Sequence, residues 1–137
     1  MSRYLHAYIA TAVGFCALDF IWLTLAAPTF YQAQIGQLLV AKPNLVPALA
    51  FYVVYVAGLV LFCVLPAVDA GSWSKAAMLG AALGVVAYAT YDLSNLATLK
   101  GWTVALTLAD MAWGGVASAL ASTFGYVGTQ WGQRLGG

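Results

Sequence analysis

The chain contains no glutamate, and five Lys or Arg with four Asp make up only 7% of its 137 residues. A water-soluble surface takes roughly 25% charged residues, so nine charges cannot wet a protein of this size. With 64% of residues hydrophobic, the apolar surplus has to face lipid, and the chain reads as an integral membrane protein. A net charge of +1 and the absence of a basic cluster exclude a nucleic-acid footprint. The one histidine, His6, leaves no bis-histidine haem ligation within the chain. The two cysteines, Cys16 and Cys63, fit no zinc or redox spacing. They fall about 16 Å and about 5 Å from the face that carries the termini, beyond disulfide reach. Both are expected as free thiols packed as small apolar groups.

The hydropathy pattern predicts an all-α bundle of four transmembrane helices. Spans of about 20 apolar residues run over about Leu5–Ala27, Leu45–Leu65, Lys75–Leu99 and Trp102–Val127. They make one four-span domain over 1–127, followed by a polar tail over 128–137. Pro28 and Pro66 are read as stops. The first span is too apolar for too long to be a signal-peptide core of about 7 to 15 residues, and Asp19 lies inside it. It reads as retained. Between the first two spans, Pro28–Asn44 reads as a loop in the interface. Tyr31, Ile35, Leu38 and Leu39 there are spaced for a short amphipathic helix. Four spans place both termini on one side with Arg3, Lys75 and Arg134, against Lys42 and Lys100 opposite. Three basic residues against two orient the termini to the cytoplasm by the positive-inside rule. Trp73, Trp102 and Trp131 stand where an aromatic belt is expected, and His6 reads as an interfacial side chain.

Of the four aspartates only Asp69 falls in a loop. Asp19, Asp92 and Asp110 lie inside spans, where an ionisable group costs several kcal/mol unless partnered or hydrated. Counted from the span ends, each sits roughly 10 to 12 Å below the same membrane face. Tyr52 and Tyr55 reach that layer from the second span. Tyr88, Asp92 and Asn95 share one face of the third by i, i+4, i+7 spacing, with Tyr91 beside them. D-x-x-W occurs twice, as Asp19-Phe-Ile-Trp22 and Asp110-Met-Ala-Trp113, setting each Trp one turn from an acid. Gly80, Ala81, Gly84 and Ala87, and Gly114, Ala117, Ser118, Ala121 and Gly125, are the small residues that let membrane helices approach closely. Together these patterns predict a bundle tight at the terminal side. A polar pocket of Asp19, Asp92, Asp110, Tyr52, Tyr55, Tyr88, Tyr91, Asn95, Trp22 and Trp113 is expected at the other side, with Lys42 and Lys100 at its mouth.

The run YATYDLSNLATLKGW (Tyr88–Trp102) resembles the signature of the bacterial membrane-protein family catalogued as domain of unknown function 2177. ALDFIWL (Ala17–Leu23), FYQAQIGQLL (Phe30–Leu39), FYVVYVAGL (Phe51–Leu59) and DMAWG (Asp110–Gly114) are similar to its other blocks. The resemblance covers about Tyr4–Tyr126 and implies a four-span protein of the bacterial inner membrane. It implies no reaction.

Three readings of the acid layer remain open at this point. In one, the acids are interhelical glue, at about 1 kcal/mol per polar contact. In the second, they form a cation or proton site. Carboxylates with tyrosine, serine and asparagine oxygens suit a hard divalent cation, and aromatic rings suit an organic one through cation–π contact. No basic residue in the layer neutralises the acids. In the third, Asp92 or Asp110 is the general base of a lipid-modifying enzyme, and Lys42 and Lys100 hold a lipid phosphate. The chain lacks the D-D-x-x-D pair of membrane prenyl transferases, the multi-aspartate signature of alcohol phosphatidyl transferases, and any Ser-His or Cys-His pair. Binding or translocation of a cation, proton or small cationic solute is the expectation carried forward, with a small subunit of a larger membrane complex as a further alternative. A four-helix protomer is narrow for a transport path, so a homodimer also fits.

Overall fold

At membrane depth no water satisfies backbone N–H and C=O groups, so each apolar run must close its own hydrogen bonds as a helix. The computed structural model describes residues 2–136 and shows no strand among them. Four helices are long and apolar enough to span a membrane: α1 (Arg3–Leu38), α2 (Leu45–Ala70), α3 (Trp73–Thr98) and α4 (Val104–Gly136). Short polar side chains begin them. Ser2 Oγ accepts from the Leu5 N–H, Asn44 Oδ1 from Val46 and Ser72 Oγ from Lys75, satisfying N–H groups that lack intrahelical partners. Gly71, in left-handed backbone, ends α2, where a side chain would be strained.

α4 is the central element, with α1 and α3 packed along it and α2 lying across α1 and α3. The α3–α4 contact is the closest. A Cβ on Gly84 would land on the Gly114 carbonyl oxygen, and one on Gly80 would come within 2.5 Å of the Ser118 carbonyl oxygen. The small-residue stripe expected at this seam is therefore what brings the two backbones together. Phe15, Val56, Leu59, Val64, Ala117 and Ala121 fill the core on the terminal side. Burial is inverted relative to a soluble protein. Thr11, Asp19, Asp92, Thr107, Asp110, Ser118, Ser122 and Thr129 are inside, while Val13, Phe20, Leu25, Val54, Leu61, Val86 and Phe124 point outward. That distribution suits a chain whose solvent is hydrocarbon.

The helices run further than the apolar runs suggest, for three physical reasons. Pro28 does not stop α1, because Ala27–Tyr31 form a π turn in which the Gln32 N–H reaches the Ala27 carbonyl. The widened turn accommodates a residue that lacks an N–H and crowds the preceding turn. Pro66 is passed in the same way after a π turn at Val60–Val64. The polar tail continues α4 to Gly136 because it packs on α1. Thr129 and Gly132 are buried, Gly132 lies against the His6 ring, and the Gln133 amide meets His6 Nδ1 at 3.3 Å. The stretch expected as an interfacial loop helix instead extends α1 and docks on the α3–α4 turn, where Thr103 Oγ1 donates to Gln34 Oε1 at 2.6 Å and Ile35 is buried. On the terminal side Arg3 pairs with Asp69 at 2.7 Å. Both cysteines are free, as expected, but only Cys63 is packed inside; Cys16 lies on the outer surface.

Candidate functional site

Three acidic side chains enter the bundle from three helices. Asp19 of α1, Asp92 of α3 and Asp110 of α4 are 8%, 0% and 7% exposed, so none faces lipid. Each has a different environment. The Asp19 carboxylate accepts from the Tyr52 hydroxyl of α2. Asp110 Oδ1 accepts from the Tyr31 hydroxyl at 2.6 Å, and that hydroxyl accepts in turn from Trp22 Nε1 at 2.8 Å. Asp92 lies against Asp110, and neither of its oxygens has a hydrogen-bonding partner. Of the acids expected at one depth, Asp92 and Asp110 are thus brought together, and Asp19 is held by Tyr52. Among the described residues no group of three Asp, Glu, His or Cys side chains is placed to hold a metal ion.

What the helices do enclose is a cavity of about 630 Å³. Its wall consists of Asp19, Trp22, Leu23 and Tyr31 from α1, Pro47, Ala48, Phe51 and Tyr55 from α2, Ala87, Tyr88 and Tyr91 from α3, and Asp110 and Trp113 from α4. The two D-x-x-W segments meet across it, with Trp22 and Trp113 stacked at 4.7 Å between centroids and 7° between planes. Tyr55 bonds Ser118 Oγ at 2.7 Å and stands edge-on to Tyr88 at 6.1 Å. The Tyr88 ring lies over Gly114, where any Cβ would overlap it. Tyr91 meets Trp102 edge-on at 5.7 Å, and Trp102 Nε1 donates to Thr107 Oγ1 at 3.2 Å.

Of the residues expected in the pocket, Asp19, Asp110, Trp22, Trp113, Tyr55, Tyr88 and Tyr91 line the cavity. Tyr52 acts behind Asp19, Asp92 is sealed behind Asp110, and Asn95 is half-buried off the wall. Lys42 and Lys100 are exposed and line no part of the cavity. Tyr31 and Phe51 are wall residues that the spacing arguments missed. For Tyr31 the cause is geometric. It follows Trp22 by nine residues, which in a regular α-helix is about 2.5 turns and the opposite face. The π turn at Ala27–Tyr31 absorbs an extra residue into one turn and swings Tyr31 back toward Trp22 and Asp110. Reading Pro28 as a stop hid this. Phe51 carries the same helical offset from Tyr55 as Tyr88 from Asp92, and that pairing was the available signal.

Chemically, the cavity offers two carboxylates, seven aromatic rings and no basic side chain. Comparison with family models places residues 4–127 in the family described as predicted membrane protein, DUF2177, and the chain belongs to it. Comparison with curated proteins and with solved structures gives no match.

Proposed function

We propose that this four-helix membrane protein binds a small organic cation in the cavity between its helices. The observation that carries this reading is an aromatic cavity of about 630 Å³ holding two buried carboxylates with no basic residue on its wall. In a low-dielectric site an uncompensated carboxylate is costly, and a cation of opposite charge relieves that cost where a neutral ligand does not. Rings of Trp22, Tyr31, Tyr88 and Trp113 supply faces and edges for cation–π contact, worth about 2 kcal/mol or more when desolvated. A bare metal ion is less well served, because Asp19 and Asp110 are each engaged by a tyrosine hydroxyl and the third acid lies behind the second. The lipid-phosphate reading draws no support either, since Lys42 and Lys100 stand away from the cavity. The setting this reading takes is the bacterial inner membrane with cytoplasmic termini.

The stacked Trp22 and Trp113 provide the test. Titration of the purified protein with benzyltrimethylammonium should change tryptophan emission saturably. Asp110→Asn should weaken that response at least tenfold while the protein remains folded. A linear, non-saturating response in wild type, or equal affinity in Asp110→Asn, would overturn the proposal.

A further inference from the structure

Resting on the reading above, we infer that the cation is an amphiphile and that it reaches the cavity from the bilayer, through the gap between the first half of α2 and α3. The two halves of α2 pack differently. Its Val60–Ala70 half lies on α3, whereas Leu45–Leu59 leans on α1 and scarcely touches α3. The cavity occupies the space this leaves, with Ala48 and Phe51 on one lip and Ala87 and Tyr91 on the other. Phe51 and Tyr91 are 44% and 58% exposed, so the lips are open.

The opening faces hydrocarbon. Ala87 and Tyr91 lie 11 and 7 residues before Thr98, the end of α3, which is about 16 Å and about 10 Å along the helix. That is deeper than headgroups and at the level of acyl chains. Val54 and Val86, next to the lips along their helices, point outward among the lipid-facing side chains. A hydrated ion approaching at this depth would have to shed its water into hydrocarbon. A cation with an apolar body partitions into the same region. The wall is composed to match: alanine and aromatic side chains at the lips, further aromatic rings within, and the buried Asp19 and Asp110 inside. An amphiphile entering charge-first would place its head between the acids and leave its body between the lips.

The experiment compares two cations of equal charge in lipid nanodiscs. Tetraphenylphosphonium is lipophilic; tetramethylammonium is not. Affinities are corrected for partition into empty nanodiscs. Tetraphenylphosphonium should bind at least tenfold more tightly, and Ala87→Trp, which narrows the gap, should slow its association at least tenfold. Ala48→Trp, on the facing lip, should do the same and guards against a folding defect in either variant. If tetramethylammonium binds as tightly and both Trp variants leave association unchanged, lateral entry is overturned while cation binding stands. If neither cation binds, both are overturned.

Discussion

The hydroxyl of Tyr31 ties the far end of α1 to Asp110 at the cavity wall, and Tyr31→Phe removes that hydroxyl alone. The substitution leaves the ring in place, including its edge-on packing against Trp22 at 6.3 Å. It takes away two hydrogen bonds, one received from Trp22 Nε1 at 2.8 Å and one donated to Asp110 Oδ1 at 2.6 Å. Polar contacts between membrane helices average about 0.6 kcal/mol and reach about 1.7, and a bond to a carboxylate lies toward the upper end. Tyr31→Phe should therefore cost about 1–3 kcal/mol. Reversible unfolding in mixed micelles with increasing dodecyl sulfate measures it. Total loss alone does not identify the partner, so the decisive quantity is the coupling in a double-mutant cycle with Asp110→Leu. A coupling of about 1 kcal/mol or more is expected. If the single effects add with no coupling, or if Tyr31→Phe unfolds as wild type does, the segment after Pro28 is not docked on Asp110 and the cavity lacks this wall.

Four further substitutions have outcomes that follow from the structure. Asp92→Asn breaks no bond, since neither Asp92 oxygen is partnered, and sets an amide donor beside Asp110. Unfolding in the same micelles should show stability equal to wild type or higher by about 1–3 kcal/mol, and a clear loss would mean Asp92 is interhelical glue. Gly84→Ala forces α3 off the Gly114 carbonyl and should cost about 1–3 kcal/mol. Gly58→Ala, with nothing within 4 Å of its new methyl, should instead gain about 0.5–1 kcal/mol; equal effects of the two would contradict the close α3–α4 seam. Arg3→Gln should leave the unfolding midpoint unchanged, because its pair with Asp69 is exposed and surface pairs contribute little.

Along-axis information was legible in the sequence to different degrees at different residues. The apolar runs marked four helices, because a backbone in hydrocarbon has no other way to satisfy its polar groups. The glycines and serines of α3 and α4 marked their seam, since only small side chains allow such an approach. Asp19, Trp22, Asp110 and Trp113 were recognisable as wall residues because their spacing is local, within one regular turn. Asn95 was assigned on the same basis and stands off the wall, because a shared helix face says nothing about which neighbour that face meets. Lys100 was assigned to the mouth only from the membrane face it falls on, and it too stands off the wall.

By itself, then, the sequence determined the medium and the number of helices, both of which depend on composition and on the length of the apolar runs. Only the tertiary structure decided the rotation of each helix about its axis. Rotation sets the partner of each carboxylate, leaving Asp19 with Tyr52, Asp110 with Tyr31, and Asp92 against Asp110 with no hydrogen bond of its own. It also depends on two π turns, at Ala27–Tyr31 and Val60–Val64. Each shifts every residue beyond it by roughly one helical position. Whether a proline ends a helix or is carried through such a turn is settled by packing on both sides of it. Here the docking of Gln34 on Thr103 holds α1 together beyond Pro28 and so brings Tyr31 to the cavity.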